Sequence, residues 1–118
     1  IIYFPDMMPT LAALAGGTDY LPQQLNGIDI SPLFYGKQID TDNRLLYWEF
    51  PGKQRAARKG DWKCVTIRPN TPLELYNLKE DPQETTNLAD KYPEMVKEFD
   101  AEMKKMHIPS PNWPLPGE

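Results

Sequence analysis

One cysteine, one histidine, an Asp-Asn pair and a short polar run in a basic stretch are the residues of this chain whose types and spacing could do chemistry. Cys64 has Arg68 four residues later, placing a cation near a thiol. The pair is embedded in a run with strand character, however, where a free Cys is most often a small buried residue. Asp42-Asn43 offers the oxygen donors of a calcium-ligand pair, yet Asp and Asn favour a turn, and no metal ligand is assigned. His107 follows the last helical stretch, and a helix C-terminus favours a partly charged imidazole. Glu49, Lys53, Gln54 and Arg55 gather polar and cationic groups suited to a sugar or an anion, against the plainer role of solvated strand-end charges. Tyr47, Trp48, Trp62 and Tyr76 could stack on a sugar, but aromatics on alternating strands are more often core.

The charge distribution narrows the ligand classes. Residues 1–36 carry three acids and no Lys or Arg, residues 37–68 carry eight bases against four acids, and residues 69–118 carry five bases against ten acids. The net charge of −4 argues against a nucleic-acid partner, while the local basic face suits a small anion such as a sulfated sugar. No apolar run approaches the roughly 20 residues that cross a bilayer, so no membrane partner is expected. The lone cysteine excludes an internal disulfide. At 118 residues the chain is the size of one small domain. Its start, Ile1-Ile2-Tyr3-Phe4, suggests a cut through a folded protein more than a natural N-terminus or a signal peptide.

The positioning elements follow from periodicity. Residues 6–15 place Met7, Leu11, Leu14 and Ala15 at helical spacing, with Pro9 in the first turn and Gly16-Gly17 as a left-handed stop. Residues 18–42 read as an irregular connector with the apolar anchor Leu33-Phe34-Tyr35. Strands are predicted at 45–50, 54–58, 62–68 and 73–76, and their short separators favour an antiparallel meander. Asp81-Pro82-Gln83-Glu84 predicts one capped helical turn. Residues 93–106 predict an amphipathic helix with Met95, Val96, Phe99, Met103 and Met106 on one stripe and Lys97, Glu98, Asp100, Lys104 and Lys105 opposite. The clustered prolines after it, Pro109, Pro111, Pro114 and Pro116, predict an extended tail. The expected fold is α+β: a small antiparallel sheet of about four strands packed against a C-terminal amphipathic helix, with an N-terminal helix and an irregular connector.

Several phrases together resemble the C-terminal end of type I sulfatases, the arylsulfatase family. They are Leu46-Tyr47-Trp48-Glu49, Arg55-Ala56-Ala57-Arg58, Gly60-Asp61-Trp62-Lys63, Glu74-Leu75-Tyr76-Asn77-Leu78 and Asp81-Pro82-Gln83-Glu84-Thr85-Thr86-Asn87-Leu88. Upstream, Asp6-Met7-Met8-Pro9-Thr10-Leu11 and Gly27-Ile28-Asp29-Ile30-Ser31-Pro32-Leu33 resemble the helix and connector that precede this subdomain. The resemblance implies that residues 1–36 are the tail end of the catalytic domain and residues 37–118 the C-terminal subdomain. It implies a parent that hydrolyses sulfate esters with calcium and a formylglycine made in a C/S-x-P/A-x-R motif. Cys64-Val65-Thr66-Ile67-Arg68 lacks the Pro or Ala of that motif, and no catalytic or metal residue is assigned in this chain.

The same resemblance places the loop after Trp48-Glu49 near the substrate entrance, which makes Glu49, Lys53, Gln54, Arg55 and His107 candidate substrate-binding residues. Phe50-Pro51 stands here where relatives carry a His after the Glu. The implied partners are the remainder of the catalytic domain and a sulfated small molecule or glycan, and the implied location is periplasmic, secreted or lysosomal. The competing reading is an autonomous, non-catalytic carbohydrate-binding or interaction module that shares this ending.

Overall fold

The computed structural model describes residues 1–50, 54–68, 71–112 and 114. The candidate Lys53 and the separators at 51–52 and 69–70 lie outside the described residues. The chain divides into two compact units, Ile1–Asp42 and Asn43–Glu118.

In the first unit a 3-10 turn at Phe4–Asp6 leads into α1, Met7–Leu14, and Gly16 stops it at a φ of +70°. The predicted apolar stripe is not what α1 buries. Leu11 and Leu14 remain 62% and 46% exposed, whereas Asp6 and Thr10 are fully enclosed. Both polar side chains act as anchors for the connector. Asp6 accepts from the Tyr3 and Ile28 amides at 3.0 Å each. Thr10 Oγ1 donates to the Asp6 carbonyl at 2.6 Å and accepts from the Ile30 amide at 3.0 Å. Each buried polar group is thereby satisfied, which removes the desolvation penalty that would otherwise oppose its burial.

The connector can come this close only because residue 27 is glycine. A Cβ there would sit 1.9 Å from the Pro5 carbonyl oxygen, inside backbone that cannot swing aside. Gly27→Ala is therefore expected to cost about 1–3 kcal/mol, the range for overpacking a close contact. Thermal unfolding of the variant beside the parent chain checks this, and an unchanged midpoint would disprove the contact. The connector is also less irregular than its composition predicts, since Ser31–Phe34 forms the short helix α2. Pro32 sits in its first turn, where a missing amide costs nothing.

The second unit is a four-stranded antiparallel meander, in the order β1, Leu45–Phe50; β2, Gln54–Lys59; β3, Trp62–Thr66; and β4, Glu74–Asn77. Gly60 takes a φ of +56° as the first of two residues between β2 and β3, where a tight hairpin favours glycine. Helix α3, Pro93–Met106, covers one sheet face. The core between them is Ala57, Cys64, Leu75, Phe99 and Met103, bordered by Tyr47, Trp62, Tyr92, Met95 and Val96. The fold is α+β.

After β4 the chain returns along the open sheet edge. Leu88 donates to the Leu75 carbonyl at 2.8 Å, and Asn87 Oδ1 accepts from the Leu75 and Ala89 amides at 3.0 and 2.9 Å. That covers an edge strand whose amides would otherwise invite pairing. The predicted helical turn at 81–84 is corrected: no helix forms there. Glu84 adopts a φ of +56°, and its carboxylate takes Lys63 Nζ at 2.6 and 2.7 Å instead of reaching back to the start of the turn. Asp81 accepts from the Thr86 amide at 2.8 Å, five residues on, and this bond holds its carboxyl below the usual range.

Candidate functional site

Glu49 and Arg55 are cross-strand partners on β1 and β2. Alternation along the strands puts both on the face that carries Tyr47, Ala57 and Cys64, the face covered by α3. Glu49 Oε1 is the centre of the arrangement. It accepts from Tyr47 Oη at 2.5 Å and pairs with His107 Nδ1 at 2.5 Å. The two side chains are 18% and 9% exposed, so the pair is largely withdrawn from water. Two candidates 58 residues apart in sequence are thus one hydrogen-bonded group.

Arg55 reaches the other way, placing Nη2 3.9 Å from Asp100 Oδ1 on α3, whose second oxygen takes Lys104 Nζ at 2.6 Å. Asp100 was expected on the solvent side of α3. It is instead half-buried, because it follows Phe99 and flanks the apolar stripe. Gln54 lies beyond this group, since its neighbour Arg55 points to the α3 face and strand alternation turns Gln54 to the opposite one.

The aromatic quartet does not form one platform. Tyr47 and Trp62 border the core on the α3 face, where Trp62 meets Tyr92 edge-on with ring centroids 5.3 Å apart. Trp48 and Tyr76 occupy the opposite face. Burial, followed by the hydrogen bond to Glu49, raises the Tyr47 phenol well above its ordinary range, so this hydroxyl serves as a donor at neutral pH.

Cys64 is fully enclosed in β3, and burial, reinforced by Asp100, pushes its thiol up to about 12. A thiol held neutral and covered on both sides is not a nucleophile. Asp42 and Asn43 are exposed turn residues, and the Asp42 amide donates to Asp40 Oδ1 at 3.0 Å. Among the described residues no group of three His, Cys, Asp or Glu side chains is placed to hold a metal ion. Neither a formylglycine nor a calcium site fits the described residues.

Tyr47 and Asp100 are the site residues that sequence reasoning missed. Tyr47 carried a signal in its Tyr-x-Glu spacing, which puts phenol and carboxylate side by side on one strand face; Asp100 carried none that separates it from its solvated neighbours.

No family profile matches the chain. An uncharacterized protein of Haemophilus influenzae is 30% identical over 124 residues, with 96% of this chain and 62% of that protein covered. Bovine arylsulfatase A is 32% identical over 129 residues, covering 87% of this chain and 25% of the enzyme. Among solved structures, a 2-O glycosaminoglycan sulfatase superposes with a TM-score of 0.66 at 29% identity, over 86% of this chain and 23% of that one. The chain is therefore a sulfatase-like segment. It spans about a quarter of the length of arylsulfatase A.

Proposed function

We propose that this chain is the C-terminal portion of a sulfuric ester hydrolase acting on sulfated saccharides or aryl sulfates, in which it completes the fold and borders the substrate entrance without being catalytic alone. Residues 1–36 then belong to the end of the catalytic domain and residues 37–118 form the C-terminal subdomain. The observation that carries the reading is the gathering of Glu49, Arg55 and His107 on one sheet face, in a chain similar to sulfatases along nearly all its length. Calcium, formylglycine and the sulfate-binding groups come from the rest of the parent, and the substrate is a sulfated small molecule or glycan.

In this reading, residues 49–55 with His107 contact the part of the substrate remote from the scissile sulfate. Arg55 is already engaged by Asp100 and only 19% exposed, so it orients the rim. Truncating Lys53 and Arg55 to Ala in the full-length parent should lower kcat/KM for a sulfated saccharide about tenfold or more, since one charge-assisted hydrogen bond is worth roughly 1.5–3 kcal/mol. Hydrolysis of a small aryl sulfate should hardly change. Equal loss on both substrates would indicate a folding defect instead of a lost contact, and Lys53→Ala alone separates the two because it leaves the Asp100 pair intact. A longer reading frame supplies the independent check: an upstream C/S-x-P/A-x-R motif with paired acids supports the hydrolase, and a stop or an unrelated domain removes it.

A further inference from the structure

We propose that the outward side of α1 and of the turn leading into it, formed by Phe4, Met8, Leu11 and Leu14, is the surface on which the remainder of the parent chain packs. The inference deepens the proposed function and rests on its reading of this chain as one portion of a longer protein. The four residues recur every three or four positions and so share one side of the helix. Phe4 and Met8 are 87% and 55% exposed, beside the exposed Leu11 and Leu14. The opposite side carries Asp6, Pro9 and Thr10, and all three are buried. There Asp6 and Thr10 hold the amides of Ile28 and Ile30. The helix is thus anchored by its polar side and shows its apolar side outward, the reverse of what water selects for a helix at a free surface.

The charge of this segment suits a dry contact. Residues 1–36 carry three acids and no Lys or Arg. Asp6 is enclosed, and Asp29 is turned onto Ser31, accepting from its amide at 2.7 Å and from its hydroxyl at 3.0 Å. Aliphatic and aromatic side chains with so little charge around them have the composition of a domain core cut in half, not that of a transient contact. Without Lys or Arg to meet anionic headgroups, a lipid surface is a poor occupant. The length of the relatives points to the occupant instead. This chain covers 25% of bovine arylsulfatase A and 23% of the 2-O glycosaminoglycan sulfatase, so about three quarters of a protein of that kind lies outside these 118 residues. The part of that remainder that meets Leu11 is itself apolar and uncharged, because a charge buried there without a partner would oppose the contact.

Leu11→Lys in the full-length parent tests this, with Glu98→Lys on the exposed side of α3 as its control. Lysine is as good a helix former as leucine, so α1 itself is not weakened and only the covering contact is lost. The Leu11 variant should unfold at least about 5 °C below the parent, since a buried unpaired ammonium is costly, while the Glu98 variant should stay within about 1 °C. Equal midpoints for the two variants would overturn the proposal. If Leu11→Lys yields no folded parent, Leu11→Ala provides the second variant, and a midpoint unchanged by that truncation would overturn it equally. A second copy is the rival occupant. Sedimentation that shows the parent as a dimer, made monomeric by Leu11→Lys with no fall in the monomer's midpoint, would assign the face to that copy and reject the proposal. Aryl sulfate hydrolysis by the unaltered parent reports the functional reading separately. An inactive parent that Leu11→Lys still destabilises removes the hydrolase and keeps the covered face, whereas an active parent indifferent to Leu11→Lys removes the face alone.

Discussion

Phe99→Ala is expected to destabilise the chain by about 3–5 kcal/mol, a large part of the 5–15 kcal/mol that typically holds a domain folded. Phe99 is 6% exposed and packs with Ala57, Cys64, Leu75 and Met103, drawing its contacts from β2, β3 and β4 as well as from α3. Truncation leaves a cavity where three strands meet the helix that covers them, and fully ordered strand backbone cannot collapse into it. Thermal unfolding should show a midpoint lowered by more than about 10 °C. Glu98→Ala, one residue away and exposed, should change stability by no more than about 0.5 kcal/mol. Comparable losses for the two would mean that α3 covers the sheet with a different face.

That pair of variants also marks where sequence patterning was sufficient. The ends of β1 and α3 fall at Leu45, Phe50, Pro93 and Met106 as expected, and Met95, Val96, Phe99 and Met103 of the expected stripe pack on the core, whereas Met106 at its end is 42% exposed. Patterning was insufficient where a polar side chain had two competing partners. The Asp81-to-Glu84 segment has the composition of a helix cap, but Lys63 lies across from Glu84 in the fold and binds its carboxylate bidentately. A charge-assisted bond to a half-buried lysine outweighs a local bond to a backbone amide. The same competition explains α1, where Asp6 and Thr10 are buried because the amides at 28 and 30 need acceptors, and the leucines are left outside.

The candidate site was legible residue by residue and not as a group. Glu49 and His107 were each recognisable as polar residues beside structured segments, but nothing local connects positions 58 apart in sequence. Their meeting depends on α3 running back across the sheet so that its C-terminal end reaches β1. Arg55 likewise has a partner, Asp100, that only helix docking supplies. Long-range pairing of this kind is set by packing of the apolar stripe, and the polar contacts follow from it.

The purified 118-residue chain is expected to show no hydrolysis of an aryl sulfate, with or without calcium. Sulfate-ester cleavage needs an activated nucleophile, cationic stabilisation of the sulfate oxygens and a proton donor for the leaving group. The one cysteine is enclosed in β3 with its thiol raised to about 12, so the thiolate fraction at pH 7 is on the order of one part in 10⁵. Arg55, whose charge acts on that thiol, is held by Asp100 and balanced there. His107, the natural proton donor, has its Nδ1 committed to Glu49 in a contact that is 9% exposed on the imidazole side. Added calcium meets no cluster of three acidic or imidazole ligands among the described residues, so it has no site at which to polarise an ester oxygen. Phenol release followed in excess calcium, beside a heat-denatured control, tests all of these at once. Calcium-dependent turnover above that control would require a nucleophile outside Cys64 and a cation site that the described residues do not form, and the assignment of this chain as a non-catalytic portion of a larger hydrolase would fall with it.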